Sequence, residues 1–398
     1  MRSGERPARG LTISPYLMKY FIRVLIILSI FFLSGCATAK FSRDRLSKDG
    51  TAHYISGVPF VEQKQNMCGP SAMASVMKYW GFNATQDEIA SLTYLPQIKG
   101  TLNLDLENYA VNKGFWTESY KGSLADLRSK IDGNFPVIVL KQEGIAFLNK
   151  YHYIVVIGYN DKAEYVVAYT GTNKDQCLAY KSFLSEWQAA DNWTLIVCPP
   201  DKISWKLSAD ECVRLGLLCE RNGDFRLAVD AYNNALKDQV RPDILFDLGN
   251  AYSQSGRLSR AISAYEEALK EYPDYADCLN NLACAYIEKG DNLEKAEELI
   301  NSALRTNPNG KVYYMDSLGL LRLKQKRYND AEGILSETLN AADEKKDIKA
   351  LIYYHLGLVY IDTGDLGRAK TVLEKSIELN PASEAREKLN NLTKEGSI

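Results

Sequence analysis

Residues 63–72, QKQNMCGPSA, decide the fold of the first half of this chain. Proline is favoured in the first turn of a helix, because the N–H that it lacks would have no helical partner there. Pro70 therefore predicts a helix that begins near Cys68 and runs through small and apolar residues to Gly81. A thiol in the first turn of such a helix lies beside unpaired N–H groups, which favour the thiolate. Cys68 is therefore a candidate nucleophile.

A second informative stretch, YHYIVVIGY at residues 151–159, is rich in β-forming residues and predicts a buried strand with His152 at its start. An imidazole beside a thiol can remove its proton and return that proton to a leaving group. The side-chain amide of Gln63, just upstream of the cysteine, can donate to a developing oxyanion. We therefore predict Cys68 as nucleophile, His152 as general base and Gln63 as oxyanion donor.

The order of predicted elements gives the fold class of the first half. Helical patterns come first, and short runs of β-forming residues follow them. Beyond the helix at Cys68, the predicted helices cover residues 101–112 and 124–131, and the predicted strands cover 136–140, 152–159, 164–170 and 193–197. Helices followed by an antiparallel meander indicate an α+β domain, which we place at residues 51–200 with a linker at 201–208.

The second half of the chain is periodic. Small residues recur with spacings of 33, 34, 36 and 38, at Gly216, Gly249, Ala283, Gly319 and Gly357. A second small residue follows each of them by 12 or 13 positions, and in four repeats a tyrosine or leucine lies four residues further on. The pattern resembles the tetratricopeptide repeat, a helix–turn–helix of about 34 residues in which small residues let two helices approach closely. It predicts an all-α solenoid of about five repeats over residues 209–394.

The first 35 residues have the features of a targeting segment. The run from Tyr20 to Leu33 is apolar apart from Arg23, and it is too short for a comfortable membrane span. The residues that end it, LSGCA at 33–37, resemble the bacterial lipoprotein signal. The resemblance implies that cleavage leaves a lipid-modified Cys36 at the new N-terminus. Residues 36–50 are polar and charged and would form a tether between the lipid and the first domain.

Two points about this segment stay open. An uncleaved membrane anchor is the alternative to a lipoprotein signal, and Met18 is an alternative start, since a conventional signal could begin there. Both interpretations place the rest of the chain outside the inner membrane. Because Ala37 and not Asp follows the cysteine, the sorting habit of lipoproteins implies a periplasm-facing protein of the outer membrane in a Gram-negative cell.

Composition excludes several classes of function. The net charge is −2 and the part after the signal has no long basic stretch, so nothing predicts nucleic-acid binding. The chain has three histidines, at 53, 152 and 355, and no CxxC spacing, which argues against a zinc site or a histidine-rich metal site. We therefore expect no metal and no cofactor, and we interpret His53, which precedes the predicted site, as incidental.

The other cysteines have a structural interpretation. Cys177 and Cys198 fall late in the first domain and could pair in an oxidising periplasm. The remaining four lie on predicted repeat helices, where small buried hydrophobic residues are expected: Cys212, Cys219, Cys278 and Cys284.

The segment from Val58 to Pro199 resembles the C39-like cysteine peptidases, a papain-like family. Its entry motif is present as a Val-Pro pair at 58–59, Gln63 and Cys-Gly-Pro at 68–70, and its second motif is a histidine that opens a strand ending in Gly-Tyr, here 152–159. The resemblance implies a papain-like α+β fold and thiol-dependent cleavage of peptide bonds. Gln65 competes with Gln63 as oxyanion donor, but its spacing to the cysteine is shorter than in the family.

The sequence departs from the family at one position. An Asp at the end of the next strand usually orients the imidazole, whereas here residues 165–171 read YVVAYTG, without a carboxylate. A hydroxyl of Tyr169 or Thr170 could orient His152 instead, or Asn173 could do so. A Cys–His pair can work without a carboxylate, because formation of thiolate and imidazolium supplies most of the activation.

These observations predict a membrane-anchored cysteine peptidase that acts on proteins or peptides of the cell envelope. One alternative is an inactive C39-like scaffold that only holds peptides. Another is a papain-like amidase or acyl transferase, although wall hydrolases of this fold usually carry Asp-Cys-Ser where this chain has Cys-Gly-Pro. The repeats would bind a protein substrate or a partner in their groove, with Asn250 and Ser253 as candidate lining residues.

Overall fold

The computed structural model describes residues 50–144, 150–343 and 345–394. The chain divides into two compact units: the first extends to Cys198 apart from Gly114–Trp116, and the second comprises Gly114–Trp116 and the residues from Pro199 onward. The predicted signal peptide, Cys36 and the predicted tether up to residue 49 lie outside the described residues. Within the described ranges, no helix has the length and apolar character needed to cross a membrane.

The first unit is an α+β domain, as predicted from the order of its elements. Its helices in the described ranges are α1 (Cys68–Tyr79), α2 (Gln86–Thr93), α3 (Asn103–Asn112), α4 (Leu124–Asp132) and α5 (Tyr180–Gln188). Its strands there are β1 (Ala52–Tyr54), β2 (Tyr94–Leu95), β3 (Gly100–Thr101), β4 (Trp116–Lys121), β5 (Val137–Glu143), β6 (Lys150–Asn160), β7 (Tyr165–Tyr169), β8 (Gln176–Ala179) and β9 (Trp193–Cys198). The predicted strands correspond to β5, β6, β7 and β9. The helices α2 and α5 and the strands β1, β2, β3, β4 and β8 were not predicted.

The main sheet is built around β6. The strand order is β4-β9-β5-β6-β7-β8, and β1 also pairs with β6, whereas β2 and β3 form a separate two-stranded sheet. β6 pairs antiparallel with β1, β5 and β7, and all its residues from His152 to Asn160 are buried. His152 therefore lies where the buried part of the central strand begins.

Helix α1 packs against this strand. Its residues from Gly69 to Met77 are buried, and the absence of a side chain at Gly69 allows the close approach. A Cβ atom at this position would lie 3.2 Å from both Leu106 Cδ1 and Tyr153 Cδ2. The first turn of α1 thus rests on Tyr153, one residue beyond His152 in the sheet.

The second unit is helical throughout its described residues, apart from turns and connections. Its helices are α6 (Ala209–Arg221), α7 (Phe225–Asp238), α8 (Pro242–Gln254), α9 (Leu258–Glu271), α10 (Ala276–Lys289), α11 (Leu293–Thr306), α12 (Lys311–Lys324), α13 (Tyr328–Ala341), α14 (Lys346–Asp362), α15 (Leu366–Leu379) and α16 (Ala385–Lys394). Consecutive helices from α6 to α15 pack as pairs, one pair for each predicted repeat. α14, the first helix of the fifth pair, has 17 residues, and it follows the longest spacing of the repeat pattern, the 38 residues between Gly319 and Gly357.

The repeated small residues mark where paired helices approach most closely. A Cβ atom at Gly216 would lie 2.4 Å from Tyr232 Cε1, and one at Gly249 would lie 2.4 Å from Tyr265 Cε1. Leucines take the place of these tyrosines in later repeats, where Gly319 faces Leu335. The small residue and the large one sixteen positions later therefore form one packing contact.

The possible disulfide between Cys177 and Cys198 does not form, because both thiols are free. Cys177 is on the edge strand β8, whereas Cys198 ends β9, and β5, β6 and β7 lie between them in the sheet. Neighbouring strands are about 4.8 Å apart, so this separation far exceeds the Cα distance that a disulfide spans. Of the four cysteines on repeat helices, three are buried as expected and Cys284 is half-buried.

Candidate active site

The candidate nucleophile lies at an uncapped helix N-terminus. Cys68 is the first residue of α1, the N-cap residue Met67 makes no side-chain cap, and the first turn contains no acidic residue. The orphan N–H groups of a helix start attract negative charge, and here no carboxylate competes for them. The backbone N–H groups of Gly69 and Tyr153 both interact with the Cys68 thiol. The sequence-based placement of this thiol at a helix start agrees with the structure.

Cys68 and His152 are hydrogen-bonded to each other. The second nitrogen of the imidazole, Nε2, lies 3.2 Å from the backbone oxygen of Thr170. A carbonyl oxygen only accepts hydrogen bonds, so Nε2 must carry the proton in this contact, which leaves Nδ1 as the nitrogen that receives the thiol proton. The ring is 6% exposed and is therefore fixed in this orientation.

The two groups shift each other's pKa in opposite directions. Burial favours the neutral thiol, but the hydrogen bond and the charge of His152, with the N–H groups of Tyr153 and Gly69, lower the pKa of Cys68 below its ordinary value. Burial likewise favours neutral imidazole, but the hydrogen bond and the charge of Cys68 raise the pKa of His152. The arrangement therefore favours a thiolate–imidazolium pair over two neutral groups.

The expected orienting hydroxyls are engaged elsewhere. The Tyr169 hydroxyl donates to the backbone oxygen of Val58 at 2.8 Å, and the Thr170 hydroxyl donates to Gln176 Oε1 at 2.6 Å. Thr170 still contacts His152, but through its backbone carbonyl. The prediction of a hydroxyl contact was wrong, because other hydrogen bonds already use both hydroxyls. Asn173 is exposed and its amide donates to Thr172.

Glu143 is a neighbour of His152 that the sequence analysis missed. It ends β5, whose register pairs Lys141 with His152 and Glu143 with Lys150, and it lines a cavity of about 320 Å³ together with His152. Lys141 bonds both Glu143 and Glu186 at 2.8 Å. The negative charge of Glu143 adds to the effect of Cys68 in raising the pKa of His152. The site thus has a carboxylate, supplied by the strand on the other side of β6.

Hydrogen bonds to Gly171 and Gln86, both distant in sequence, hold the segment around Gln63 in place. The backbone N–H of Gln63 donates to the carbonyl of Gly171 at 2.9 Å, and the side chain of Gln86 bonds the backbone of both Glu62 and Lys64, at 2.7 and 2.9 Å. The side chain of Gln63 lies directly over Gly171, where a Cβ atom would be 2.1 Å from Oε1. The segment that carries the amide is therefore anchored on both sides.

The Gln63 amide extends into the same cleft as the candidate pair. Its Oε1 atom is buried and has no hydrogen-bond partner within the described residues. Gln63, Cys68 and His152 line one cleft of about 760 Å³. Gln65, the competing donor, is exposed and does not line it. His53 lies apart as well, near Asn134 and Asp132.

One wall of this cleft is apolar and exposed. Ile98, Leu102, Leu104 and Tyr151 line it, and each is about half exposed or more. Large apolar side chains around a cleft commonly mark a binding surface. In the described part of the chain, no group of three or more His, Cys, Asp or Glu side chains is placed to hold a metal ion. The cleft thus brings the thiol and the imidazole next to an apolar surface.

Comparison with known families agrees with this division of the chain. Residues 55–195 match the Peptidase C39-like family. Residues 213–276, 253–315 and 350–383 match tetratricopeptide repeat families.

Individual proteins match smaller parts of the chain. The photosystem I assembly protein Ycf3 of Prochlorococcus marinus subsp. pastoris is 30% identical over 120 residues, which is 26% of this chain and 68% of that protein. The uncharacterized protein ycf37 of Pyropia yezoensis is 35% identical over 117 residues, covering 27% of this chain and 65% of that protein. Among solved structures, a thermophilic tetratricopeptide repeat protein of Thermus thermophilus gives a TM-score of 0.41 at 22% identity, covering 46% of this chain and 97% of that one.

Proposed function

Because this chain belongs to the tetratricopeptide repeat proteins and carries a C39-like peptidase domain before its repeats, we propose that it is a cysteine peptidase that cleaves peptide bonds in protein or peptide substrates. The observation that carries the proposal is the hydrogen bond between Cys68 and His152 at the start of α1, which lowers the thiol pKa and raises the imidazole pKa. A thiolate with a protonated base beside it is ready both to attack and to protonate a leaving group.

The proposed reaction begins with proton transfer from the Cys68 thiol to Nδ1 of His152. The thiolate sulfur then attacks the carbonyl carbon of the substrate, and the carbonyl oxygen becomes an oxyanion that accepts hydrogen bonds from the Gln63 side-chain amide and the Cys68 backbone N–H. His152 returns the proton to the amine as the C–N bond breaks, which leaves a thioester on Cys68. Water attacks the thioester with His152 as base, and the carboxylic acid product leaves.

The surroundings of His152 support its role in two steps. The backbone carbonyl of Thr170 accepts from Nε2–H and fixes which nitrogen faces the thiol. The charge of Glu143 stabilises the imidazolium that forms when the thiol loses its proton. In this proposal two groups replace the single Asp of the family. The Thr170 carbonyl orients the imidazole, and Glu143 supplies the negative charge.

The cleft favours a peptide over a sugar-rich wall fragment as substrate. Its exposed wall is made of aliphatic and aromatic side chains, which match the apolar side chains of a protein substrate. An amidase or acyl transferase acting on muropeptides would instead need a polar surface for the glycan. The repeats would bind the substrate or a partner protein, since grooves of this kind bind peptides.

A direct test follows cleavage of an unfolded envelope protein extract by the full chain, with new peptide termini identified by mass spectrometry. We expect new termini that are absent with Cys68→Ala and are reduced by roughly 10²-fold or more in His152→Ala. Cys177→Ser is the matched control and retains activity, because its thiol lies on the edge strand β8 outside the cleft. Equal products from the wild type and Cys68→Ala would contradict the proposal and leave the scaffold alternative.

We also propose that the chain is a periplasm-facing lipoprotein, anchored through Cys36. The support is the sequence at residues 33–37, which lies outside the described residues. Metabolic labelling with an alkyne fatty acid in a Gram-negative host should mark the wild type but not Cys36→Ser, and the labelled chain should fractionate with the outer membrane. Equal labelling of the two chains would contradict lipidation at this residue.

A further inference from the structure

Two cavities meet at the candidate pair, and their linings differ in chemistry. The cleft of about 760 Å³ contains Cys68 and the exposed apolar wall. The second, the polar cavity of about 320 Å³, shares Gln63, Lys150 and His152 with that cleft but is not lined by Cys68. Apart from Leu178, the rest of its lining is polar: Lys141, Glu143, Thr170, Thr172, Asn173 and Gln176. A substrate that crosses the pair therefore meets an apolar surface on one side and polar groups on the other.

The proposed reaction decides which part of the substrate enters each cavity. The acyl group becomes attached to the sulfur of Cys68, whereas the amine leaves with a proton from His152. Residues before the scissile bond therefore extend from the thiol along the apolar cleft. Residues after it extend past the imidazole into the polar cavity, which His152 lines and Cys68 does not. The polar cavity is thus the place where the amine side of a substrate is recognised.

The charges of the polar cavity come from two neighbouring strands. Lys150 lies two residues before His152 on β6, so both side chains are on the same face of the sheet. Lys141 and Glu143 lie opposite them on β5. The Lys141 side chain is 7% exposed and bonds Glu143 and Glu186 at 2.8 Å each, so its charge is compensated. Lys150 is exposed, and its ammonium forms no hydrogen bond or ion pair with the described residues.

The uncharged groups of the polar cavity offer hydrogen-bond donors. The Thr170 hydroxyl donates to Gln176 Oε1 at 2.6 Å, which leaves the amide nitrogen of Gln176 without a partner among the described residues. The Asn173 amide donates to the Thr172 hydroxyl at 3.3 Å, so the O–H of Thr172 remains able to donate. An uncompensated ammonium with N–H and O–H donors around it is suited to bind a carboxylate.

We propose that the polar cavity, with Lys150 as its cation, binds a carboxylate on the amine side of the scissile bond. The peptidase then prefers substrates with an acidic residue just after the cut, or with their C-terminal carboxylate there. A hydrogen bond between charged groups is about twice as strong as one between neutral groups, and the three rotatable donors of lysine reach a carboxylate in many orientations. A basic residue at the same place would face Lys150 and the imidazolium of His152. This inference rests on the proposed peptidase function and adds a preference for the sequence that is cut.

The first test compares two alkylating agents of nearly the same shape on the full chain. Iodoacetate carries a carboxylate next to the carbon that the Cys68 thiolate attacks, and iodoacetamide carries a neutral amide there. Both rates depend equally on the thiolate fraction, so their ratio reports how well an anion is received beside Cys68 and not the pKa of the thiol. We expect Lys150→Met to lower the iodoacetate-to-iodoacetamide ratio of Cys68 by about threefold or more, the effect of one partly exposed charge.

Two further variants separate this site from a general charge effect and from a change in packing. Lys150→Arg keeps the positive charge and should keep the ratio. Lys162→Met makes the same charge change at an exposed residue beyond the opposite end of β6 and should leave the ratio unchanged. A ratio that ignores Lys150→Met, or that Lys162→Met lowers equally, would overturn the inference. Because alkylation needs no substrate, this test does not depend on peptidase activity.

The second test sorts the new termini produced from the envelope protein extract by the residue that follows each cut. We expect Asp and Glu to be enriched there with the wild type, and Lys150→Glu to shift the enrichment towards Lys and Arg. Internal cuts before acidic residues would identify a side-chain carboxylate as the ligand, whereas release of one or two residues from chain ends would identify the terminal carboxylate.

The outcomes separate this inference from the proposed function. Cuts with no preference for either carboxylate would overturn the inference while the peptidase function stands. If the wild type cuts nothing, the peptidase function fails, and the alkylation ratio decides whether the carboxylate site exists.

Discussion

At the scale of single residues, close contacts and hydrogen bonds fix the side chains of the candidate site in position. Gln63 lies over Gly171, Cys68 begins a helix without a competing acid, and one nitrogen of His152 is bound to a backbone carbonyl. Each contact places a polar atom where the proposed reaction needs it. Changes at residues that only position these groups therefore test the account without removing the reacting atoms.

Gly171→Ala should displace Gln63 and leave the thiol intact. A Cβ atom there would lie 2.1 Å from Gln63 Oε1, so the amide must move away from the developing oxyanion. We expect kcat to fall by about 10²-fold or more, the usual cost of losing one oxyanion donor. Gly57→Ala is the matched control, since both glycines have positive φ, +78° and +82°, but a Cβ atom at Gly57 meets nothing within 4 Å. Equal losses of activity in the two variants would assign the effect to backbone strain.

Glu143→Gln should lower the pKa of His152, because it removes a negative charge that favours the imidazolium. The pKa can be read from an NMR titration of the His152 ring protons. Glu186→Gln is the control: Glu186 also bonds Lys141 at 2.8 Å but does not line the cavity of His152. An unchanged His152 titration in Glu143→Gln would show that this carboxylate does not assist the base.

At the scale of elements, much of the architecture follows from local sequence. Pro70 and the small residues after it predict α1, and the hydrophobic run after His152 predicts β6. The helix α2 and the strand β8 were missed because they have eight and four residues, too few for a clear period. The small-residue positions of the repeats were predictable because four of the five face a large side chain sixteen residues later in the chain.

Gly249→Ala should destabilise its repeat by about 1–3 kcal/mol, because the new methyl group would lie 2.4 Å from the Tyr265 ring in a filled core. Gly333→Ala in α13 is the opposite case. A Cβ atom there meets nothing within 4 Å, so alanine should stabilise the helix by about 0.5–1 kcal/mol. Guanidinium unfolding followed by circular dichroism measures both free energies. A neutral or stabilising effect of Gly249→Ala would contradict the close approach of α8 and α9.

At the scale of the whole molecule, the contacts that depend on strand register and on the packing of repeats could not be predicted from the sequence. Glu143 reaches His152 only through the register between β5 and β6, and the orienting group for the imidazole is a backbone carbonyl, which no residue type identifies. The partly buried carboxylates of Glu220 and Asp247, whose pKa values are raised by burial and by neighbouring carboxylates, likewise emerge only when two repeats are packed together. The pairing of Cys68 with His152 was predictable from motifs, whereas the charges and carbonyl groups around the pair required the three-dimensional arrangement.

The same carboxylates make stability depend on pH. In the folded chain the pKa of Glu220 is about 7 against an ordinary 4.5, and that of Asp247 is about 6 against 3.8. At pH values between the ordinary and the raised pKa of each group, the folded state binds more protons than the unfolded state. The free energy of unfolding therefore falls as the pH rises from about 4 to 7. Asp247→Asn should flatten this fall and raise the melting temperature at pH 8 more than at pH 4. If the melting temperature of the variant and that of the wild type depended on pH in the same way, Asp247 would not be a source of the pH dependence.

The measurement that tests the central claim most directly is the rate of Cys68 alkylation by iodoacetamide as a function of pH, with modification of each cysteine peptide followed by mass spectrometry. Cys177, whose pKa is raised by burial and by Asp175, is the reference thiol in the same sample, and His53→Ala is the control for His152→Ala. The account predicts that Cys68 reacts with an apparent pKa well below the free value of about 8.5 and loses this shift in His152→Ala but not in His53→Ala. A Cys68 that titrates like Cys177, or that ignores the loss of His152, would contradict the thiolate–imidazolium pair on which the proposed function rests.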